Sequence, residues 1–193
     1  MKNTFNTNEI LKESVDTLYR GGILLTHTVI GWGIVFDATN ENAVNKAFTL
    51  RKSKDSSDTV LLTDNFARCQ SYFNDIPDVA WDLAEISVKP LVIILPEAKN
   101  ISALLTPGDK SIGVLVITDE LIKNICVRIR KPLGFLPVDL SADNGSSGTE
   151  SVTPGIKSGV DFILSSGQPE SGKDLNFSVI RFEKGNKFNI MKE

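Results

Sequence analysis

The chain holds one histidine, two cysteines, two tryptophans and two tyrosines among its 193 residues, and each scarcity closes off a class of chemistry. With His27 as the sole imidazole, a multi-histidine metal centre and the His-based nucleophile triads have no second residue to draw on. Cys69 and Cys126 lie far apart, each inside a stretch of helical periodicity, so buried thiols are expected rather than a disulfide framework or a cysteine metal site. Long apolar runs are missing as well. The start Met1-Lys2-Asn3-Thr4-Phe5 has no signal-peptide core, and nothing approaches the roughly 20 apolar residues that span a bilayer. The expectation is a cytoplasmic protein without a membrane segment, in which the Asn-x-Ser triplets at Asn100, Asn144 and Asn176 carry no glycosylation meaning. An excess of positive charge is also lacking. A net charge of -3 argues against a surface dominated by nucleic-acid contacts, though local patches remain open.

The composition that is present, 41% hydrophobic and 23% charged, suits one globular domain over residues 1–193. Its most concentrated stretch is Gly21 to Asn40. Ile23-Leu24-Leu25 reads as a buried strand, Thr26-His27-Thr28 as a polar interruption facing a ligand, and Ile34-Val35-Phe36 as a second strand ending in a helix cap at Thr39 or Asn40. Upstream, Thr7 or Asn8 is placed to cap a helix carrying Leu11, Val15 and Leu18, which Gly21 ends.

Downstream, Val44, Ala47 and Phe48 mark a helix that runs into the polar octet Arg51 to Asp58, read as a loop. Thr59 to Thr63 follows as a strand, then a helix capped by Asp64, a helix with Pro77 in its first turn, and strands at Leu91 to Leu95 and Ile112 to Ile117. A helix capped by Thr118 or Asp119 carries Leu121, Ile122, Ile125, Cys126 and Ile129 and stops at Pro132. A strand-like segment from Leu133 to Leu140, a loop from Ser141 to Gly148, a strand from Gly159 to Leu164 and a hairpin across Lys184-Gly185-Asn186 complete the chain. Alternation of strands and helices before a β-rich tail predicts an α/β protein with a mixed, twisted sheet.

Several suggestive groupings fail on physical grounds. Gly167 to Lys173 has P-loop spacing, but Asp174 stands where a magnesium-binding hydroxyl belongs, and the following residues read as a strand rather than the helix whose N–H groups would meet phosphates. Ser141, Asp143 and Ser147 match hydrolase residues in type alone, and Asp37 with Glu41 reads as helix-terminus charge. The basic groups Arg51-Lys52 with Lys54, and Arg128 with Arg130-Lys131, read first as solvated helix ends favoured by the macrodipole.

Taken in order, Gly21-Gly22, Thr28, Trp32-Gly33-Ile34, Asp37-Ala38-Thr39-Asn40, Lys89-Pro90-Leu91, Ile93-Ile94-Leu95-Pro96, Ser111-Ile112-Gly113, Lys131-Pro132, Gly159-Val160-Asp161 and Ser178-Val179-Ile180 give the chain the look of the YrdC-like family. That family includes threonylcarbamoyl-AMP synthases of the tRNA threonylcarbamoyladenosine pathway. The resemblance implies a twisted mixed sheet flanked by helices around a large concave cleft. It also implies a reaction in which threonine and bicarbonate form a carbamate that attacks ATP and expels pyrophosphate, with cationic donors and magnesium around the triphosphate.

The chain departs from the family at those donors. In a gap-free reading the family's Pro-Thr-Asp-Thr segment falls on His27-Thr28-Val29-Ile30, and its Lys-x-Arg pair falls on Arg51 and Ser53. Its next loop lysine falls near Ser57, a strand arginine on Leu115, and its Ser-x-Asn on Pro137 and Asp139. Charge-assisted hydrogen bonds are worth roughly 1.5 to 3 kcal/mol each, so losing three or four removes about 5 to 10 kcal/mol of ligand stabilisation.

The expectation is therefore a YrdC-like protein without synthase activity, with no catalytic residue and no metal ligand assigned, acting as an RNA-binding or small-ligand-binding module. Thr28, Arg51, Lys52 and Ser178 are the expected ligand contacts: one hydroxyl for a small ligand, two cations for an anion, and a second hydroxyl from the C-terminal strand. Arg128, Arg130 and Lys131 are the expected contacts to tRNA or other RNA. The alternative is an active L-threonylcarbamoyladenylate synthase using threonine, bicarbonate, ATP and Mg, its site rebuilt from His27, Arg51 and Lys54. A third class is a subunit of a larger protein complex.

Overall fold

The computed structural model describes residues 7–106, 108–138, 148–164, 176–184 and 187–192. In chain order these form α1 (Thr7–Tyr19), β1 (Leu24–Thr28), β2 (Gly31–Asp37), α2 (Glu41–Arg51), β3 (Val60–Thr63), α3 (Asp78–Ile86), β4 (Leu91–Leu95), β5 (Ile112–Val116), α4 (Glu120–Ile129), β6 (Leu133–Pro137), α5 (Pro154–Gly159), β7 (Phe162–Leu164), β8 (Ser178–Phe182) and β9 (Phe188–Lys192). The strands make one sheet in the order β7, β1, β2, β6, β3, β5, β4, β8, β9. Three neighbouring pairs are parallel, β1 with β7, β3 with β5 and β4 with β8, and the other pairs are antiparallel. The fold is the expected mixed α/β sheet. No helix among the described residues is long and apolar enough to cross a membrane.

Strand alternation sends apolar side chains to both faces, and each face packs its own helices. Trp32, Ile34 and Phe36 of β2, Leu61 of β3 and Ile93 of β4 join Val44, Ala47 and Phe48 of α2, Ala80 of α3 and Ile156 of α5 on one face. Val35, Leu62, Leu115 and Phe135 join Leu11, Val15 and Leu18 of α1 and Ile122, Ile125 and Ile129 of α4 on the other. The central antiparallel pair of β2 and β6 is interlocked by glycines. A β-carbon at Gly33 would lie 2.3 Å from the Phe135 ring, and one at Gly134 would lie 2.2 Å from the Phe36 ring. Each glycine makes room for an aromatic ring of the neighbouring strand.

Two carboxylates tie distant segments together. Asp37 is buried at the end of β2; its Oδ1 accepts from the Thr39 N–H at 2.9 Å and the Thr39 hydroxyl at 2.6 Å. Its Oδ2 accepts from the Lys131 ammonium at 2.5 Å, across 94 residues. Asn40 then caps α2, its side chain accepting from the Asn42 and Ala43 N–H groups. Asp161, just before β7, accepts from the Ile23 N–H at 2.7 Å and from Lys46 of α2 at 2.6 Å, while its own N–H donates to the Ile23 carbonyl at 3.0 Å. Short motifs that looked separate in the sequence are thus the two ends of single contacts.

Several local expectations differ from what forms. Thr26, His27 and Thr28 do not interrupt β1; they are its second half, and the hairpin turns at Val29 and Ile30. A Thr-x-Thr run alternates faces like any strand, so polarity alone gave a false break. α1 already includes Thr7, so neither Thr7 nor Asn8 is an N-cap outside the helix. Asn65, not Asp64, caps the segment after β3, which is a 3-10 helix over Phe66–Ser71. Pro77 is the N-cap of α3 rather than a first-turn residue, and Gly159, the expected start of a strand, ends α5 instead, so that β7 begins at Phe162. The P-loop-like segment 167–173, the triplet Ser141, Asp143 and Ser147, and the hairpin tip at Gly185-Asn186 lie outside the described residues.

Asp161 gives a pH test of this framework. Burial pushes its carboxyl up, but Lys46 and the Ile23 N–H outweigh that and hold it below the ordinary carboxylate value. A carboxyl depressed in the folded state contributes stability above its unfolded value near 3.9, lost as pH falls through the lower folded value. Urea unfolding of Asp161→Asn should therefore show its largest deficit against wild type at neutral pH. The deficit should shrink below about pH 3.5. An equal deficit at both ends would remove the ionic part of this contact.

Candidate functional site

The sheet face that carries α1 and α4 also holds a cleft of about 470 Å³. Its floor is apolar: Val60 of β3, Val92 and Ile94 of β4, and Val179 of β8, with Ile30, Pro137 and Phe177 around them. Gly113 of β5 sits among these valines, and a β-carbon there would come 3.0 Å from Val92 and 3.3 Å from Val60. The missing side chain keeps the floor concave.

One wall is the loop from Asp55 to Thr59, and its shape follows from how α2 ends. Lys52 adopts a left-handed backbone with φ of 58° and donates its N–H to the Phe48 and Thr49 carbonyls, which closes the helix. The chain then doubles back, and Arg51 meets its own loop. The Arg51 side chain is 9% exposed; Nη1 donates to both Asp58 carboxylate oxygens at 2.8 and 2.7 Å, and Nη2 donates to the Asp55 carbonyl. The Ser57 N–H and hydroxyl, with Arg51 behind them, hold the Asp55 carboxyl below its ordinary value.

The opposite rim repeats the pattern. Arg181 of β8 donates to Asp109 Oδ2 at 2.7 Å, and Ser111 donates to the same carboxylate from its hydroxyl at 2.7 Å and its N–H at 3.0 Å. The Ser111 hydroxyl, ahead of opposing burial, the Ser111 N–H and Arg181, keeps Asp109 below the usual carboxylate range. Both arginines at the cleft are therefore held by a carboxylate that lines it. Among the described residues the cleft is lined by Asp55, Asp58 and Asp109 against Arg181, with Arg51 behind the wall. The Ser56 and Thr59 hydroxyls, in the same wall, are buried without a hydrogen-bond partner. A buried hydroxyl left unpaired is costly and rare, so this wall holds two polar groups for a water or a ligand to satisfy.

The expected ligand contacts do not gather here. Thr28 is buried, its Oγ1 donating to the Gly31 carbonyl at 3.2 Å and accepting from the Ile30 N–H at 3.2 Å, so the hydroxyl shapes the hairpin turn. Ser178 shares strand parity with Ile180, which packs on the opposite face, whereas Val179 and Arg181 face the cleft. Lys52 and Arg51 instead line a second cavity of about 650 Å³ between α2 and α5, with Lys46, Thr49 and Thr153. His27 is half-buried with its ring edge-on to Trp32 at 5.4 Å, and Lys54 is exposed on the loop.

Of the expected RNA contacts, Arg128 and Arg130 are exposed at the end of α4, and Lys131 is bound to Asp37. Leu115 is buried and Pro137 lines the cleft, while Asp139 lies outside the described residues. Burial pushes both cysteine thiols up to about 12, so neither is a nucleophile. Sequence reasoning missed Asp58, Asp109, Arg181, Ser56 and Thr59. A positive residue at the end of a predicted helix, with an acid seven positions later in the following loop, was the available signal for the first of them.

Comparison with known proteins identifies the family and the fold. A family model for Sua5, YciO and YrdC proteins, described as telomere recombination, matches residues 16–193. A threonylcarbamoyl-AMP synthase of Pseudoalteromonas atlantica is 32% identical over 111 residues, covering 56% of this chain and 58% of the relative. P. abyssi Sua5 superposes with a TM-score of 0.80 at 17% identity over 98% of this chain, which spans about half (54%) of that protein. E. coli YciO superposes with a TM-score of 0.73 at 17% identity, covering 97% of this chain and 90% of the other. At such identities the solved structures establish a shared fold.

The Arg51 contact predicts a measurable wall. Arg51→Ala should cost about 1 to 3 kcal/mol of stability, because it leaves Asp58 unpaired and opens a hole beside α2. Limited trypsin digestion should cut faster after Lys52 or Lys54 in the variant. Unchanged stability and unchanged cutting would mean that Arg51 does not hold the loop.

Proposed function

The chain belongs to the Sua5/YciO/YrdC family, and from that premise we propose that it is a member related to tRNA threonylcarbamoyladenosine biosynthesis whose cleft binds a small ligand without performing the synthase reaction. One observation carries the reading: each arginine at the cleft is neutralised by a carboxylate of the same cleft. A triphosphate brings several negative charges, and its transfer chemistry depends on donors aimed at those charges in a dry site. Here the guanidiniums would first have to leave Asp58 and Asp109, and the carboxylates would then face the phosphates. Asp58 and Asp109 are each about half exposed, so water screens part of that repulsion, but two negative charges at the rim still oppose a polyanion.

Magnesium fares no better at this cleft. Magnesium at a nucleotide is held by one or two carboxylates beside the phosphates, and here Asp58 and Asp109 direct their oxygens at arginine instead. Free cations for RNA are few at the expected patch. Arg128 and Arg130 alone, with Lys131 engaged by Asp37, would neutralise about two phosphates, too few for firm retention at physiological salt.

A second reading is favoured by the relatives, whose printed name is threonylcarbamoyl-AMP synthase. On that reading the two ion pairs are latches that substrate opens. Pyrophosphate release in the presence of ATP, threonine and bicarbonate separates the two. We expect release at the level of the protein-free control, unchanged in Arg51→Ala. Threonine-dependent release at or above about 0.1 per second, lost in Arg51→Ala, would establish the synthase and end the non-synthase reading.

A further inference from the structure

We propose that the ligand of the cleft carries a protonated amine, set against Asp55, on an apolar body that lies over the floor of β3, β4 and β8. The inference deepens the reading of the cleft as a small-ligand site and rests on it. Three carboxylates line the cleft among the described residues, and of these Asp58 and Asp109 are each satisfied by an arginine. Asp55 is not: its Oδ1 accepts from the Ser57 N–H at 2.9 Å, and its side chain is exposed. The Ser57 N–H and hydroxyl, with Arg51, hold its carboxyl below the ordinary value. One negative charge thus stands at the mouth of an apolar cavity, with Arg51 on its backbone carbonyl and, among the described residues, no cation hydrogen-bonded to the carboxylate itself.

A second, independent observation lies in the same wall. Ser56 is 5% and Thr59 2% exposed, and both hydroxyl oxygens lack a partner. A hydroxyl both donates and accepts, so the pair can complete the hydrogen bonding of an ammonium, which offers three donors and no acceptor. An anion would gain the same two hydroxyls but would face Asp55 directly. A neutral ligand would leave Asp55 uncompensated. The size of the cavity and its valine and isoleucine floor suit a monoamine with an aromatic or branched alkyl body.

The test holds the body constant and changes the head group. 4-Phenylbutylamine, 4-phenylbutanol and 4-phenylbutanoate, with threonine and ATP as further members, are titrated into the full chain by calorimetry at about 50 mM salt, where screening over a few ångströms is weak. The amine should bind at least ten-fold tighter than the alcohol, the carboxylate and threonine. Asp55→Asn, which keeps an oxygen for the Ser57 N–H and so keeps the loop, should bring the amine to the affinity of the alcohol. Gly113→Val, which fills the floor, should weaken all three phenylbutyl compounds. Preference for the carboxylate, the alcohol or threonine, an amine preference that survives Asp55→Asn, or no binding of the amine at 10 mM would each overturn the proposal. Tight binding of ATP with pyrophosphate release would instead overturn the non-synthase reading on which it rests.

Discussion

The Arg51 guanidinium, turned back on its own loop, is the constraint that the cleft depends on. Left-handed closure of α2 at Lys52 aims the following residues towards the helix they came from, and the Asp58 carboxylate meets a side chain only 9% exposed. Three consequences follow from that one contact. The loop gains a fixed path and becomes a wall, the guanidinium behind that wall is neutralised, and Ser56 and Thr59 are drawn under cover with their hydroxyls unpaired. A buried guanidinium without a partner is far costlier than one paired to a carboxylate, so the contact persists unless a ligand supplies an equal anion.

The sheet sets the stage on which this contact matters. Parallel and antiparallel pairs mix in one nine-stranded sheet, and apolar residues on both faces let helices cover each side. Gly113 leaves a hollow in the face shared with α1 and α4, and β8 delivers Arg181 to its rim. Structure and charge therefore point in different directions. The scaffold is that of a family whose relatives carry a synthase name, while Arg51 and Arg181 are each paired to a carboxylate beside the hollow, which is the ground for the proposed preference for something smaller and less anionic than a nucleotide.

Much of the scaffold was legible in the sequence. Leu91 to Leu95, a cap at Thr39 or Asn40, another at Thr118 or Asp119 and the apolar stripe from Leu121 to Ile129 announce themselves through periodicity and capping chemistry, both local signals, and folding selects Asn40 and Asp119. The Thr26-His27-Thr28 stretch was misread because a strand's polar alternation resembles a loop until its partner is known. The site was less legible for a related reason. Whether a cation is available depends on what it touches, and Arg51 with Asp58, Arg181 with Asp109 and Lys131 with Asp37 are decided by folding rather than by residue type. Thr28 and Ser178 were chosen for their hydroxyls, but turn geometry and strand parity assigned those hydroxyls elsewhere.

The central claim is that cleft carboxylates, not the fold, oppose a nucleotide, and neutralising them tests it most directly. Calorimetric titration of ATP into wild type and into the double variant Asp58→Asn with Asp109→Asn should give weak or undetectable binding in the first. Binding should be at least ten-fold tighter in the second, as Arg51 and Arg181 are released towards the ligand. ATP binding of equal strength in both proteins would contradict the account, because it would mean that these ion pairs do not govern what the cleft accepts.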